Sequence, residues 1–143
     1  MDTLVDETEE TAQRLTLSSR LAEIERIPPW IDSLALRYAI PENSRFAMNL
    51  CLEEALSNII RHGYSGDPHH SITVEFQPLQ DRFVLTVEDE APPFNPVEAP
   101  ESPMVSPGND GIGGQGIRLL HNFASTLEYQ PTPCGNRLKI GFL

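Results

Sequence analysis

The chain has 143 residues, a hydrophobic fraction of 39% and a formal net charge of −11. This length suits one domain with its own hydrophobic core, and no apolar run approaches the roughly 20 residues that a membrane-spanning helix needs. The acidic N-terminus lacks the basic and then apolar pattern of a secretory signal, so we expect a soluble, cytoplasmic protein. Because a strongly acidic surface repels phosphate backbones and anionic lipids, we expect no direct binding of nucleic acid or membranes.

The first part of the chain predicts a strand followed by an interrupted helix. Polar and apolar residues alternate within Thr11–Ser18, which is typical of a half-buried strand. Leu21–Tyr38 has apolar residues at helical spacing, but Pro28 and Pro29 interrupt the pattern. Since proline lacks a backbone N–H and fits the first turn of a helix, we expect a short helix, a break near Ile27 and then a second helix.

Pro41–Gly63 is the strongest helical segment of the sequence. Asn43 or Ser44 can cap its N-terminus, and Gly63 is placed to end it. With about 100° between successive residues, one broad arc of this helix is apolar and must face the core. The residues of this arc are Met48, Cys51, Leu52, Ala55, Leu56 and Ile59.

Three polar residues of the same helix, Glu54, Asn58 and Arg61, lie beside the apolar arc. Their spacing of i, i+4 and i+7 places them within about 60° on one helix face. A carboxylate can accept a proton, a carboxamide oxygen can hold a hard cation, and a guanidinium can bind phosphate. The alternative interpretation is a solvated stripe with an ordinary Glu–Arg interaction, which is common on surface helices.

The second half of the chain predicts a hairpin, an irregular segment, a helix and two closing strands. Prolines and glycines are too frequent in Ala91–Gly116 for any regular element, so we expect a long loop there. The expected regular elements are strands at Ser71–Gln77 and Asp81–Glu88, a helix at Ile117–Phe123, and strands at Thr126–Tyr129 and Arg137–Leu143.

Two further features could bind a nucleotide. Asp89 stands where a strand runs into a proline-rich turn, and a carboxylate there can accept a hydrogen bond from an amino group such as that of adenine. An ordinary turn aspartate is the alternative. Asp110–Leu120 is a glycine-rich loop that opens a helix, and backbone amides at such a position form an anion cradle. A glycine cluster alone gives weak support for a phosphate site.

In order and spacing, these segments together resemble a known family. Leu50–Tyr64, Asp89–Pro96 and Gly113–Ile117, followed by Gly135–Asn136 and a last apolar strand, are similar to the anti-sigma-factor serine/threonine kinases of the histidine-kinase-like (GHKL) ATPase superfamily. The similarity extends over Leu15–Leu143. It implies the Bergerat fold, an α/β two-layer sandwich with a mixed, mostly antiparallel sheet and helices on one face. It also implies ATP and Mg²⁺ as cofactors.

The resemblance implies a role for each polar residue of the long helix. Glu54 corresponds to the carboxylate that acts as general base on a serine hydroxyl. Asn58 corresponds to the asparagine whose side-chain oxygen holds the Mg²⁺ bridging the nucleotide phosphates. Arg61 falls where related kinases place a cation against the phosphates. Phosphoryl transfer depends mainly on positioning and charge neutralisation, so a base, a metal ion and preorganised amides form a sufficient set.

The remaining site residues are also assigned by the resemblance. Asp89 corresponds to the residue that reads the adenine amino group, with Ala91 and Phe94 lining the base pocket. We expect a disordered acidic leader at residues 1–10 and a single ATPase domain at 11–143, with a lid loop at about 95–116. By the same resemblance, Gly113, Gly114 and Gly116 correspond to the phosphate-covering part of the lid loop and the start of its helix, and so bind the nucleotide.

By resemblance, the protein is an anti-sigma factor that sequesters a sigma factor, phosphorylates a STAS-type antagonist protein and forms a homodimer. Three departures stand out. Ala91 replaces the usual glycine, and Asn136 stands where many relatives have a threonine near the adenine. Phe83–Ile117 contains no Lys, Arg or His, whereas related kinases often bring a lid arginine to the terminal phosphate. Two alternatives stay open: a partner-binding module with weak or no phosphotransfer, and the detached ATPase domain of a histidine kinase.

Overall fold

The computed structural model describes residues 13–96 and 112–143, with side chains in the second range from Arg118 onward. These ranges contain five strands and three α-helices, together with a 3₁₀ turn at Leu21–Arg26 and a π-helical turn at Ile59–Gly63. The strands are β1 (Gln13–Ser18), β2 (Ser71–Pro78), β3 (Phe83–Asp89), β4 (Thr126–Pro131) and β5 (Asn136–Phe142). The α-helices are α1 (Ile27–Tyr38), α2 (Glu42–Asn58) and α3 (Ile112–Phe123).

The strands form one sheet in the order β1-β2-β3-β5-β4, and the pairings among these described strands are all antiparallel. Successive side chains of a strand point to opposite faces, so alternate residues share one face. On β3, Leu85 and Val87 are buried, and they lie opposite the buried Ile140 and Leu138 of β5. One face of the sheet is therefore apolar and covered, which confirms the α/β two-layer fold; the described part of the sheet is antiparallel rather than mixed.

The helices cover this apolar face and complete the core. The predicted apolar arc of α2 is confirmed, because five of its members are buried and Ile59 is half-buried. From α1, Ile27, Ile31 and Leu34 are buried against the same core. Each such aliphatic side chain contributes about 1.5–3 kcal/mol relative to an exposed position. The position of α2 on the sheet therefore follows from its sequence pattern.

The predicted start of α1 is confirmed, and the predicted cap of α2 is wrong. Helix α1 begins at Ile27 with Pro28 and Pro29 in its first turn. The N-cap residue of α2 is Pro41, with no side-chain hydrogen bond to the helix end. Ser44 is instead buried, and its hydroxyl donates to the backbone carbonyl of Leu143 at 2.7 Å. A long-range bond has replaced the local capping bond.

Helix α3 begins at Ile112, five residues before the expected Ile117, so the end of the expected lid loop is helical. Each glycine lowers helix stability by only about 1 kcal/mol relative to alanine. The packing of α3 on α2 offsets this loss, because tertiary contacts supply most of the stability of a helix. The expected leader at 1–10 and residues 97–111 of the lid loop lie outside the described residues. No helix within the described ranges is long and apolar enough to cross a membrane.

Candidate functional site

The end of the long helical segment meets the end of β3. A Cβ atom placed on Gly63 would lie 2.9 Å from the Cβ of Ala91, so the Ala91 methyl group packs where Gly63 has no side chain. The hydroxyl of the next residue, Tyr64, accepts a hydrogen bond from the backbone N–H of Glu90 at 2.7 Å and donates to the carbonyl of Ser71 at 3.2 Å. The helix motif and the aspartate motif, distant in sequence, therefore contact each other.

Asp89 is the last residue of β3 and is 8% exposed. Its Oδ1 accepts hydrogen bonds from the backbone N–H of Ala91 and the side-chain amide of Asn136, both at 2.8 Å. Burial raises the pKa of Asp89 above its usual value, and these two bonds oppose that effect because they favour the ionised form. A buried acceptor at a strand end is suited to binding an amino group.

Asn136 is the first residue of β5, pairs with Asp89 in the sheet register and is 7% exposed. Its Oδ1 accepts hydrogen bonds from the Tyr129 hydroxyl at 2.5 Å and the Phe94 backbone N–H at 3.0 Å. Its Nδ2 donates to oxygens at the end of β3, namely Asp89 Oδ1 and the backbone carbonyls of Ala91 and Pro92. A single side chain thus connects β3, β4 and β5 with the segment that leaves β3.

Gly135 lets the loop before β5 approach the Asp89 turn. A Cβ atom at this position would lie 2.1 Å from the carbonyl oxygen of Asp89 and 2.6 Å from the Cα of Glu90. Both distances are far below van der Waals contact, so any side chain requires the two backbones to separate. The loop itself is held by the Thr132 hydroxyl, which accepts a hydrogen bond from the Gly135 N–H at 2.8 Å.

Glu54 and Asn58 lie one turn apart on α2, and both are half-buried. Residues at this spacing share a helix face, as predicted. Burial raises the pKa of Glu54, the neighbouring charge of Glu53 adds to the increase, and Arg61 opposes it. A carboxylate with a raised pKa is a stronger proton acceptor near neutral pH, which suits a general base.

Arg61 follows the regular part of α2 and is exposed. It lies in the π-helical turn, where the Tyr64 N–H donates to the Ile59 carbonyl at 2.8 Å. A π-turn holds more residues per turn than an α-helix, so each residue after Asn58 advances by a smaller angle. The charge of Arg61 nevertheless reaches Glu54, because it opposes the increase in the pKa of that carboxyl group. Its role as a phosphate ligand stays a prediction.

The other predicted site residues differ in how much the structure says about them. Ala91 is 4% exposed, and its methyl group is directed at Gly63. Phe94 is held through its backbone N–H, and the residue is 53% exposed. Their role in lining a base pocket stays a prediction. The three glycines of the expected lid lie in the first half of α3, namely Gly113, Gly114 and Gly116.

Three residues that shape the site, Tyr64, Tyr129 and Gly135, have no role predicted from the sequence. Tyr64 directly follows Gly63, which ends the helix. When a tyrosine is buried, its hydroxyl usually forms a hydrogen bond, so Tyr64 could have been predicted to bond to a neighbouring segment. Tyr129 lies on the inward face of β4, opposite Leu138, so strand alternation could have indicated it. Gly135 lies just before a strand, where an isolated glycine indicates a close approach of another backbone.

This donor set fits a nucleotide with a magnesium ion. Asp89 offers a hydrogen-bond acceptor, Asn58 a carboxamide oxygen and Glu54 a carboxylate. Mg²⁺ usually keeps several waters and takes only one or two protein carboxylates in addition to substrate phosphates, so a site with few protein ligands, such as the Asn58 carboxamide, would be compatible with it. In the part of the chain that the structure describes, no group of three or more His, Cys, Asp or Glu side chains could hold a metal ion alone.

A helix-covered antiparallel sheet, with a buried aspartate at a strand end packed against the end of a long helix, defines the histidine kinase-like ATPase class. The family model described as "Histidine kinase-like ATPase domain" matches residues 17–142, and the chain belongs to this family. The predicted family is confirmed.

Two named relatives are similar to the chain. Serine/threonine-protein kinase BtrW of Bordetella bronchiseptica is 29% identical over 112 residues, which cover 78% of this chain and 79% of the relative. Anti-sigma F factor of Oceanobacillus iheyensis is 26% identical over 83 residues, which cover 57% of each chain. The similarity therefore spans most of the first relative and a little over half of the second.

Proposed function

We propose that this protein binds ATP with Mg²⁺ and phosphorylates a serine of a STAS-type antagonist, and that it also sequesters a sigma factor. One observation carries the proposal: the Asp89 turn at the end of β3 packs against the end of the helix that bears Glu54 and Asn58. An acceptor for a base and polar groups for phosphates therefore belong to one site. The relatives named as a serine/threonine kinase and an anti-sigma factor support the same function.

In the base half of the site, Asp89 accepts a hydrogen bond from the adenine amino group. Ala91 and Phe94 line the pocket, with the Phe94 ring available for stacking because the residue is largely exposed. The turn is tied down on one side by the Tyr64 hydroxyl and on the other by Asn136. The acceptor is thereby positioned before the nucleotide arrives, which lowers the entropy lost on binding.

In the phosphate half, Asn58 supplies a side-chain oxygen to the magnesium ion, which when bound neutralises charge on the phosphates. Glu54 accepts the proton of the incoming serine hydroxyl. We assign Arg61 and the backbone amides of Gly113, Gly114 and Gly116 to the phosphate half as well. Since Phe83–Ile117 contains no Lys, Arg or His, a cation from outside this segment must offset the charge that develops during transfer.

Calorimetric titration tests the nucleotide site. ATP is titrated with and without Mg²⁺ into the wild type, Asn58→Ala and Asn43→Ala. Asn43 is the matched control, because it is an exposed asparagine in the first turn of the same helix. We expect magnesium-dependent binding in the wild type and the control, and its loss in Asn58→Ala. No binding at millimolar ATP by the folded wild type would refute the nucleotide site.

Phosphotransfer is tested with labelled ATP and purified STAS-type antagonists. Glu54→Gln keeps the size of the side chain but cannot accept the proton, so we expect transfer to fall by about 10²–10⁴-fold with ATP binding retained. Glu53→Gln is the matched control, since Glu53 is the adjacent, exposed carboxylate. Equal transfer by the two variants would contradict the assignment of Glu54. Partner control without any transfer would indicate a binding module.

We also propose that the protein acts in the cytoplasm as a homodimer. Light scattering of the purified chain then gives about twice the 15.9 kDa of one subunit, and a mass of one subunit contradicts this part of the proposal. The net charge of −11 is compatible with a sigma factor, whose DNA-binding surfaces are basic. Co-purification at low salt and release at high salt would support this pairing.

A further inference from the structure

Tyr64 connects the Asp89 turn with the loop that follows the long helical segment. The residue is buried, and its hydroxyl accepts a hydrogen bond from the Glu90 N–H at 2.7 Å. The ring of His70, from the loop, stacks on the Tyr64 ring with 4.3 Å between the ring centroids and 3° between the planes. The tyrosine therefore contacts the turn through its hydroxyl and the loop through its ring face.

The backbone of His70 is fixed by Ser19, the residue that follows β1. The Ser19 hydroxyl accepts a hydrogen bond from the His70 N–H at 3.0 Å, and the Ser19 N–H donates to the His70 carbonyl at 2.9 Å. The same hydroxyl donates to the backbone carbonyl of Asp67 at 2.5 Å. Ser19 is 1% exposed, and breaking these bonds would leave buried polar groups without partners, which is costly. The end of β1 therefore determines where His70 lies.

The orientation of the His70 ring is set within the loop. His70 Nε2 lies 3.2 Å from Oδ2 of Asp67, which fixes the edge of the ring. Earlier in the loop, Ser65 and Gly66 have φ values of +53° and +81°, so the chain reverses sharply there. A serine rarely adopts this left-handed conformation, and such strain persists only where the surrounding contacts maintain it. The contacts of the loop therefore keep His70 against the tyrosine.

The stacked histidine limits the motion of the Tyr64 hydroxyl. The hydroxyl lies at the end of the ring remote from Cβ, so a tilt of the ring displaces the hydroxyl most. A hydrogen bond weakens steeply when its length and angle depart from the ideal, so a tilted ring would release the Glu90 N–H. The turn after Asp89 would then have to become ordered when a nucleotide binds, which lowers the affinity.

We propose that His70 is a positioning residue for nucleotide binding, because it holds the Tyr64 ring so that the tyrosine hydroxyl fixes the turn after Asp89. This inference rests on the proposed nucleotide site and adds a residue that lies outside it. His70 does not contact the nucleotide in this account; it acts through Tyr64 and Glu90.

Two substitutions of His70 separate its ring stacking from its other contacts. His70→Ala removes the ring, whereas His70→Phe keeps a flat ring that can stack but cannot bond to Asp67. His69→Ala is the matched control, because His69 is the adjacent exposed histidine and bonds to Asp67 through its backbone N–H, which alanine keeps. Thermal melts establish that each protein is folded. Calorimetry measures ATP binding, and hydrogen exchange followed by NMR measures the protection of the Glu90 N–H without nucleotide.

We expect His70→Ala to bind ATP about three- to tenfold more weakly and to exchange the Glu90 N–H faster by a similar factor, which is the effect of one aromatic pair on an equilibrium. The His69→Ala and His70→Phe proteins should keep nearly the wild-type values of both quantities. In a Tyr64→Phe protein, which lacks the hydroxyl, His70→Ala should cause no further loss of ATP affinity.

A His70→Ala protein with wild-type ATP affinity and wild-type protection of the Glu90 N–H would overturn the inference. An equal loss of affinity from His70→Ala with and without the Tyr64 hydroxyl would overturn it too, since a merely structural role of the histidine gives that result. If the wild type binds no ATP, the proposed function fails, whereas the exchange rate of the Glu90 N–H still tests whether His70 fixes the turn.

Discussion

Replacing Gly135 with alanine tests the close approach between β3 and the loop before β5. The added Cβ would lie 2.1 Å from the Asp89 carbonyl oxygen, whereas real Cβ atoms essentially never come closer than 3.0 Å. The two backbones must therefore separate by roughly 1 Å, which stretches the 2.8 Å bond between Asn136 and Asp89 beyond hydrogen-bonding distance. Losing a buried bond to a charged group costs about 2–3 kcal/mol. For a chain of this length, that lowers Tm by roughly 6–12 °C.

Urea unfolding and thermal melts of Gly135→Ala measure this cost, and ATP titration measures its effect on the site. Gly66→Ala is the control, because a Cβ there meets no atom within 4 Å and suffers only the strain of a φ of +81°. That strain costs about 1 kcal/mol. We expect Gly135→Ala to be clearly less stable than Gly66→Ala and to bind ATP more weakly. A Gly135→Ala protein as stable as the control would refute the reasoning about the close approach.

Three further predictions concern the same site. Gly63→Ala should lower the free energy of unfolding by about 1–2 kcal/mol, because the new methyl group would clash with that of Ala91. Adding Ala91→Gly to this variant should restore about 1 kcal/mol. If the effects of the two substitutions on the free energy of unfolding are simply additive, this prediction is contradicted. Asp89→Asn keeps an acceptor oxygen but removes a buried charge. Because burial raises the folded-state pKa of Asp89, its contribution to stability is lost as pH rises from about 4 through that pKa, so the stability of the wild type relative to the variant should fall over this range. The variant should also lose ATP binding by at least about tenfold. A stability difference between wild type and variant that does not change over this pH range would contradict the second prediction. Because Arg61 lowers the pKa of Glu54, Arg61→Gln should move the acid limb of the phosphotransfer profile to higher pH, and an unchanged limb would argue against Glu54 as the base.

Local patterns were sufficient for most of the fold. The strand positions followed from alternation, and the buried face of α2 followed from helical spacing, because both depend only on which side of an element is covered. The start of α1 followed from Pro28 and Pro29, whose backbone restrictions act within one turn. The cap of α2 did not follow, since Ser44 bonds to Leu143, far away in sequence. Capping rules cannot anticipate a competing partner of that kind.

The site was predictable where a motif lies within one element and unpredictable where elements meet. Glu54 and Asn58 share a face because α2 is regular between them. The π-turn that contains Arg61 did not follow from the helical spacing. The bonds of Asn136 involve three strands, and no local rule of spacing relates Tyr129 to Asp89. Such contacts are set by the sheet order, which a single sequence does not display.

The π-helical turn at Ile59–Gly63 makes the site sensitive to the number of residues in this helix as well as to their identity. A π-turn accommodates one residue more than a regular α-helical turn. Deleting one residue from it would allow a continuous α-helix, but the following residues would then rotate by about 100° around the axis. Gly63 would no longer face Ala91, and Tyr64 would no longer reach Glu90, although every side chain of the site was still present. The number of residues in this helix is therefore fixed by the site, since inserting or deleting one residue would separate the base half from the phosphate half.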